Sequence, residues 1–146
     1  MFRINKLTDY ALLISGEMAK TPELLYSATM LKDAMQLSLP TVSKILKLLA
    51  DAGLIESMRG AKGGYRLLHA PNKISLLQVM MAIEGPLTFT DCSDKDKHCA
   101  FSRHCLMRSN WLKINKYIVT IFEKISLHDM IHVASLPDFL ERGHKL

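Results

Sequence analysis

Apolar residues recur at helical spacing from the start of the chain. Leu7, Ala11, Ile14 and Met18 mark one face of a first helix. Thr8 is read as its N-cap and Asp9 as a charge suited to the positive helix start, with Lys20-Thr21-Pro22-Glu23 as a polar joint at its end. A second helix is predicted over 28–35. The third is the most legible: Ser38 caps it, and Pro40 falls in the first turn, where a missing N–H costs nothing. Val42, Ile45, Leu46 and Leu49 share one face, and Pro40, Ser43, Lys44 and Lys47 lie opposite, with Leu48 out of pattern. Gly53 closes this helix. The period then shortens, and two strands are predicted over 55–58 and 65–69. Between them lies Arg59-Gly60-Ala61-Lys62-Gly63-Gly64, a glycine-rich hairpin tip. Ser75-Leu76-Leu77-Gln78 is a capping box for a fourth helix that stops at Gly85-Pro86. A polar loop follows over 90–105. The last long helix is predicted from about 108 to 125. In it Met107, Trp111, Ile114, Ile118, Ile121 and Ile125 follow steps of four and three, a heptad seam, and Leu112, Val119 and Phe122 add a second stripe.

Three helices followed by a hairpin is the order of a winged helix-turn-helix. The expected fold is mainly α with a small β-hairpin wing, plus a long C-terminal dimerisation helix. The expected divisions are a winged helix-turn-helix domain over 1–86, a cysteine loop over 87–106, a dimerisation helix over 107–131 and a less ordered tail over 132–146. One stripe of the last helix can pack on the chain's own core and leave the other for a second copy. Trp111, Ile114, Ile118, Ile121 and Ile125 are the residues assigned to that dimer interface.

Composition narrows the function classes. The chain has 146 residues, of which 49% are hydrophobic, enough for a packed core. No internal repeat is visible, and no apolar run approaches the ~20 residues of a membrane span. No hydrophobic signal core stands behind Met1-Phe2-Arg3-Ile4-Asn5-Lys6, so a cytoplasmic protein without membrane partners is expected. The net charge is +5 and unevenly placed: residues 1–75 carry 10 Lys/Arg against 6 Asp/Glu, and residues 76–146 carry 9 against 8. The stretch 39–66 alone holds five Lys/Arg and two Asp/Glu.

That excess falls on the surface a winged helix would present to DNA. The outer face of the third helix offers Ser38, Pro40, Thr41 and Ser43 near its start, then Lys44 and Lys47, able to meet base edges and phosphates in a major groove. In the wing, Arg59, Lys62 and Arg66 supply cations. Gly60, Gly63 and Gly64, followed by Tyr65, let the backbone approach a phosphate. A lysine-bearing face is more often simply solvated. A nucleotide cradle is the other use of such a loop, but this one lacks a Gly-Lys-Ser/Thr ending and leads into a strand. Helix order, basic wing and charge placement together favour double-stranded DNA, with neither an enzymatic site nor a small-molecule substrate.

The three cysteines, Cys92, Cys99 and Cys105, are spaced Cys-x6-Cys-x5-Cys in the polar loop. An odd number in one short loop is not a disulfide framework. Soft thiolates suit an iron–sulfur cluster, and Arg103 and Arg108 could help keep them deprotonated. Zinc with His98 or His104 as fourth ligand is a second reading, although the usual short Cys-x2-4-Cys pairs are missing. A metal-free thiol switch is a third. The residue chemistry alone leaves all three open.

The stretches Leu7-Thr8-Asp9-Tyr10-Ala11, Leu39-Pro40-Thr41-Val42-Ser43-Lys44-Ile45-Leu46-Lys47-Leu48-Leu49 and Arg59-Gly60-Ala61-Lys62-Gly63-Gly64-Tyr65-Arg66 resemble the IscR/NsrR-type regulators of iron–sulfur metabolism and nitrosative stress. The spaced cysteines and Asn110-Trp111 extend the resemblance over roughly residues 1–131, and the branch it looks most like regulates the Suf cluster-assembly operon. The resemblance implies a two-fold dimer, repressor or activator, on a pseudo-palindromic promoter. It also implies an iron–sulfur cluster, [2Fe–2S] rather than [4Fe–4S], on the three cysteines. IscR-like members place a histidine two residues after the third cysteine, where this chain has Met107, a poor cluster ligand. NsrR-like members supply an aspartate from the first helix of the other subunit, and Asp9 matches that position, so the resemblance implies Asp9 as fourth ligand. The bland reading of Asp9 is a helix-start charge. His98 and His104 are further candidates, and a histidine in a polar loop is more often just solvated.

Overall fold

The computed structural model describes residues 3–94, 97–101 and 104–132. The tail expected beyond residue 132, and Arg103 in the loop, lie outside the described residues. Helix α1 spans Lys6–Lys20, α2 Ala28–Met35 and α3 Leu39–Asp51, followed by strands β1, Ile55–Met58, and β2, Gly64–Leu67. Then come α4, Leu76–Glu84, α5, Arg108–Lys124, and α6, Leu127–Ile131. Among the described residues no helix is long and apolar enough to cross a membrane.

The predicted patterns set the core. Ala11, Ile14 and Met18 of α1 meet Val42, Ile45, Leu46 and Leu49 of α3, all at 0% exposure, with Leu31 of α2 and Val79 of α4. At about 25 cal/mol per Å2 of apolar surface, each of these fully buried Val, Leu, Ile and Met side chains contributes roughly 1.5–3 kcal/mol before the ordering entropy is counted. Local chemistry fixes the joints. Ser27 accepts from Met30 N to start α2, and Gln36 takes a left-handed φ of 53° to end it. Ser38 accepts from Thr41 N only three residues after α2 ends, giving the tight turn between the two helices.

In the antiparallel hairpin Ile55 faces Leu67, Glu56 faces Arg66, Ser57 faces Tyr65 and Met58 faces Gly64. Strand β2 covers 64–67 rather than the expected 65–69. Its base is clamped by Tyr26, whose N–H donates to Tyr65 O (2.8 Å) while Tyr65 N donates back (2.8 Å). The Tyr26 hydroxyl donates to Glu17 O, so the hairpin is tied to α1.

Two capping expectations resolve differently. The Ser75–Gln78 box is present at the start of α4. Thr8, however, is not the cap of α1. Asn5 takes that place by accepting from Leu7 N (3.0 Å), and Thr8 is fully buried, donating its hydroxyl to the Glu84 carboxylate at the end of α4. Thr8 stands three residues before Ala11, on the face that packs against α4, where a solvated cap cannot sit.

The long C-terminal helix ends one residue early, at Lys124. Ser126 and Asp129 form a second capping box, and the short α6 folds back onto α1. A small bridge fastens this joint to the body: Leu76 N donates to Ile125 O and Leu127 N to Ile74 O, both at 2.8 Å. Ile125 is therefore buried at 5% exposure beside Leu76 and Met80 of its own chain. Its assignment to a dimer interface is corrected, because its side chain has no surface left to offer a partner. Ile121 and Phe122 pack at the edge of the same cluster. The first part of the seam is uncovered: no residue of α5 is buried, Trp111, Leu112, Ile114 and Tyr117 are exposed, and Ile118 is half-buried.

Candidate functional site

Two groups of predicted residues are displayed on different parts of this frame. The first is the outer side of α3 with the hairpin. Because Val42, Ile45, Leu46 and Leu49 turn inward, Pro40, Ser43, Lys44 and Lys47 are left exposed together, with Ser38 at the cap. The Ser38 and Thr41 hydroxyls lie 2.7 Å apart, so Thr41 is half-buried and shares in the cap. Beyond β1, Arg59 and Lys62 are exposed. Among the described residues Lys44, Lys47, Arg59 and Lys62 form no ion pair. Exposed cations without an ion-pair partner are what contact with a phosphate backbone requires.

Four wing residues have other duties. Arg66 is ion-paired to Glu56, its cross-strand neighbour, so its charge is offset within the hairpin rather than held ready for phosphate. Tyr65 is half-buried against the core. Gly63 and Gly64 are required by internal contacts. A side-chain carbon on Gly63 would fall 2.1 Å from Met58 O, and one on Gly64 would fall 2.9 Å from Tyr26 O. The expectation that these glycines serve close approach to a phosphate is corrected for Gly63 and Gly64, since the chain's own backbone occupies that space. Gly60, at φ 115° with open space around it, remains at the tip.

The second group is the cysteine loop. Cys92 lies in a short 3-10 turn, Asp91–Ser93, with its sulfur 3.1 Å from Thr90 Oγ1, which in turn lies 2.9 Å from Ser93 Oγ. Asn115 of α5 holds the loop entrance: its Oδ1 accepts from Phe89 N (3.1 Å), and its amide group donates to Leu87 O (3.4 Å). This anchor was missed in the sequence. Its only signal is a polar residue among the apolar stripes of α5.

Cys92, Cys99 and Cys105 are all free, half-buried thiols. They line a single cavity of about 850 Å3 together with His104, Phe101 and Trp111. Thirteen positions of chain separate the first cysteine from the last, yet the loop folds so that all three face the same space. They are not drawn into a coordination sphere, since among the described residues no three His, Cys, Asp or Glu side chains stand close enough to hold a metal ion. The donor types suit an iron–sulfur cluster: three soft thiols and the exposed His104 imidazole line the same open, partly apolar pocket. Met107 and Trp111, at the start of the exposed seam of α5, line the same cavity, so cysteine site and seam are contiguous. His98 is exposed and outside it. Asp9 is exposed on α1 and lines a separate groove with Leu13, Lys20, Met130 and Ile131. Within one subunit, therefore, Asp9 does not reach the cysteines.

Known proteins share this fold. Residues 4–133 match the Rrf2 family model, described as an iron-dependent transcriptional regulator. The rrf2 protein of Nitratidesulfovibrio vulgaris is 30% identical over 109 residues, covering 73% of each chain. Among solved structures, CymR, the global cysteine regulator of B. subtilis, superposes with a TM-score of 0.70 at 26% identity, covering 90% of this chain and 97% of its own. IscR of T. potens gives 0.69 at 26% identity, covering 89% and 86%. With its helix-turn-helix, its hairpin wing and a family match across nearly its whole length, this chain belongs to the Rrf2 family: it is a DNA-binding transcriptional regulator and not an enzyme.

Proposed function

We propose that this protein is a homodimeric regulator whose promoter binding is controlled by an iron–sulfur cluster, of the [2Fe–2S] type, held by Cys92, Cys99 and Cys105. The observation that carries the reading is the convergence of three free thiols on one cavity whose wall includes the start of α5. The cluster would supply a redox- and iron-responsive group. The chain's residues supply the rest. Asn115 fixes the loop against α5, and Trp111 carries the state of the cavity into the exposed seam.

Two copies packed through Trp111, Ile114, Ile118 and Ile121 would cover the uncovered stripe of α5 and set the separation of the two α3 helices. In a two-fold protein that separation must match the spacing of the operator half-sites. Ser43, Lys44 and Lys47, with Thr41 at the helix start, read the major groove, while Arg59, Lys62 and the wing tip hold phosphates. Iron–sulfur assembly genes are the proposed targets. Anaerobic purification followed by iron and sulfide analysis tests the cofactor. Gel shifts on the protein's own promoter, with and without reconstitution, test the control. Iron-free protein with unchanged operator affinity after reconstitution would refute it.

A thiol sensor on the same fold is the second reading, favoured by the likeness to a regulator described as governing cysteine and by the free state of the thiols. It requires operator affinity to change with thiol oxidation in metal-free protein.

A further inference from the structure

We infer that His128 and His132 form a chelating site for a divalent first-row transition ion, of the zinc, nickel or copper kind, at the end of α6. The site does not depend on the cluster reading and lies on a different element from the cysteines. Four residues apart on a helical turn, the two side chains leave the same face one above the other. Their rings stack with centroids 4.1 Å apart and planes 21° from parallel. Both residues are exposed, so an ion reaches them from solvent and water completes its coordination. His132 Nδ1 lies 2.8 Å from His128 O. A carbonyl oxygen only accepts, so Nδ1 carries the proton and donates it. In a neutral imidazole that leaves the Nε2 lone pair free for a metal. Fixing one ring nitrogen on a backbone carbonyl is the usual way a metal-bound histidine is oriented.

The type and number of donors set the chemistry. Imidazole nitrogens suit zinc, nickel and copper, whereas magnesium and calcium take oxygen. Asp129 stands between the two histidines, but its carboxylate is engaged in the cap of α6, where Oδ2 accepts from Ser126 N (2.8 Å) and Ser126 Oγ (2.6 Å). Two protein donors make an exchangeable site, in contrast to the four of a closed structural zinc centre. The consequence follows from where α6 sits. Five residues are too few for a helix to persist alone. Helix α6 is held by Leu127, 1% exposed, and by Ile131, whose Cγ2 would lie 3.4 Å from a side-chain carbon on Gly16 of α1. An ion across His128 and His132 ties the last turn together, and so fastens α6 on α1 and with it the end of α5.

The test is a zinc titration of the full-length protein at about pH 8, where an ordinary imidazole is neutral. It is read by NMR of the ring nitrogens, which reports each histidine separately from any zinc taken up by the cysteines. Before zinc, His132 should be in the Nδ1–H form. On titration the Nε2 signals of His128 and His132 should move together with one midpoint, while His69 stays unchanged. Zinc should also slow amide exchange of Met130, whose N–H donates to Ser126 O at the start of α6 (3.1 Å). His128→Ala and His132→Ala should each weaken zinc binding at the remaining ring by roughly a hundredfold, because the second donor no longer acts at high local concentration. Each should also abolish the effect of zinc on Met130. Both side chains are exposed, so the variants keep the fold, and wild-type-like unfolding in the presence of a chelator checks that they do. Separate midpoints for the two rings, undiminished affinity in either variant, an unchanged Met130 or an Nε2–H tautomer at His132 would each overturn the site and leave an adventitious ion on single histidines. Zinc found only at the cysteine loop overturns it as well.

Discussion

Helices α3 and α5 are both amphipathic, yet the same kind of pattern meets opposite fates. The 13-residue α3 sends four aliphatic side chains into the core at 0% exposure. The 17-residue α5 buries none, and Trp111 and Ile114 stand 38% and 42% exposed. The body, from α1 through α4, closes on itself with α6 as its lid. The cysteine loop and α5 form an arm, and helix α5 of the arm packs on that body through α4. A hydrophobic stripe states that burial is favourable without naming the surface that provides it. The body is built to persist, and the arm to acquire its remaining contacts from elsewhere, which suits a part whose conformation reports a signal.

The largest expected effect is on the body. Leu49→Ala should lower stability by about 2–5 kcal/mol, read by denaturant unfolding, with DNA binding failing as a consequence. Survival of full stability would mean the α3 core is not the foundation of the fold.

The seam can be divided next. Ile114→Asp should leave the unfolding of the isolated body intact but weaken self-association by about 3 kcal/mol, by placing an unpaired carboxylate in a buried interface. Ile125→Asp should instead destabilise the chain itself, because that residue is already buried beside Leu76 and Met80. Sedimentation and thermal melts side by side separate the two. Identical behaviour would erase the boundary between body and arm.

Within the body, single alanine replacements of Thr41, Ser43 or Lys44 should each cost about 1–3 kcal/mol on the preferred operator and alter sequence preference, as measured by competition binding. Uniform weakening across sequences would move base reading to another element. Lys62→Ala should weaken all DNA alike and reduce the salt slope by about 0.9. Arg66→Ala should change that slope less, since Glu56 already offsets its charge.

The smallest effect concerns the lid. Hydrogen bonds from the Ser126 side chain and backbone, aided by His128 and His132, hold the Asp129 carboxyl below the usual carboxylate range. A folded pKa below the unfolded one gives stability that is present above the unfolded value and lost as pH falls through the folded value. The start of α6 should therefore loosen only in acid. Asp129→Asn should remove that dependence, as monitored by amide exchange at Leu127 and Met130.

Much of this was legible in the chain itself. Period and caps located α2, α3, β1 and α4, and the inward set Val42, Ile45, Leu46 and Leu49 followed from a helical wheel, because helix geometry is a local property. The cysteine loop and the cations of α3 and the wing were visible as residue types with a spacing. Decisions between equivalent local options were not. Asn5 and Thr8 are both competent caps, and only the arrival of α4 with Glu84 made one of them a buried partner. Arg66 looked like Lys62 until the strand register put Glu56 opposite it. The heptad seam ran through Ile125 on paper, and only the bridge between residues 75 and 126 drew its last member into the body. Likewise the spacing of the cysteines named a chemistry, but which histidine shares their cavity depends on how a loop without regular periodicity turns back on itself. Hydrogen-bonding preference and hydrophobic period act over a few residues and are written in order along the chain. Which of several suitable groups is buried, paired or left exposed is settled by segments distant in sequence, and it was the packing of those segments that decided it here.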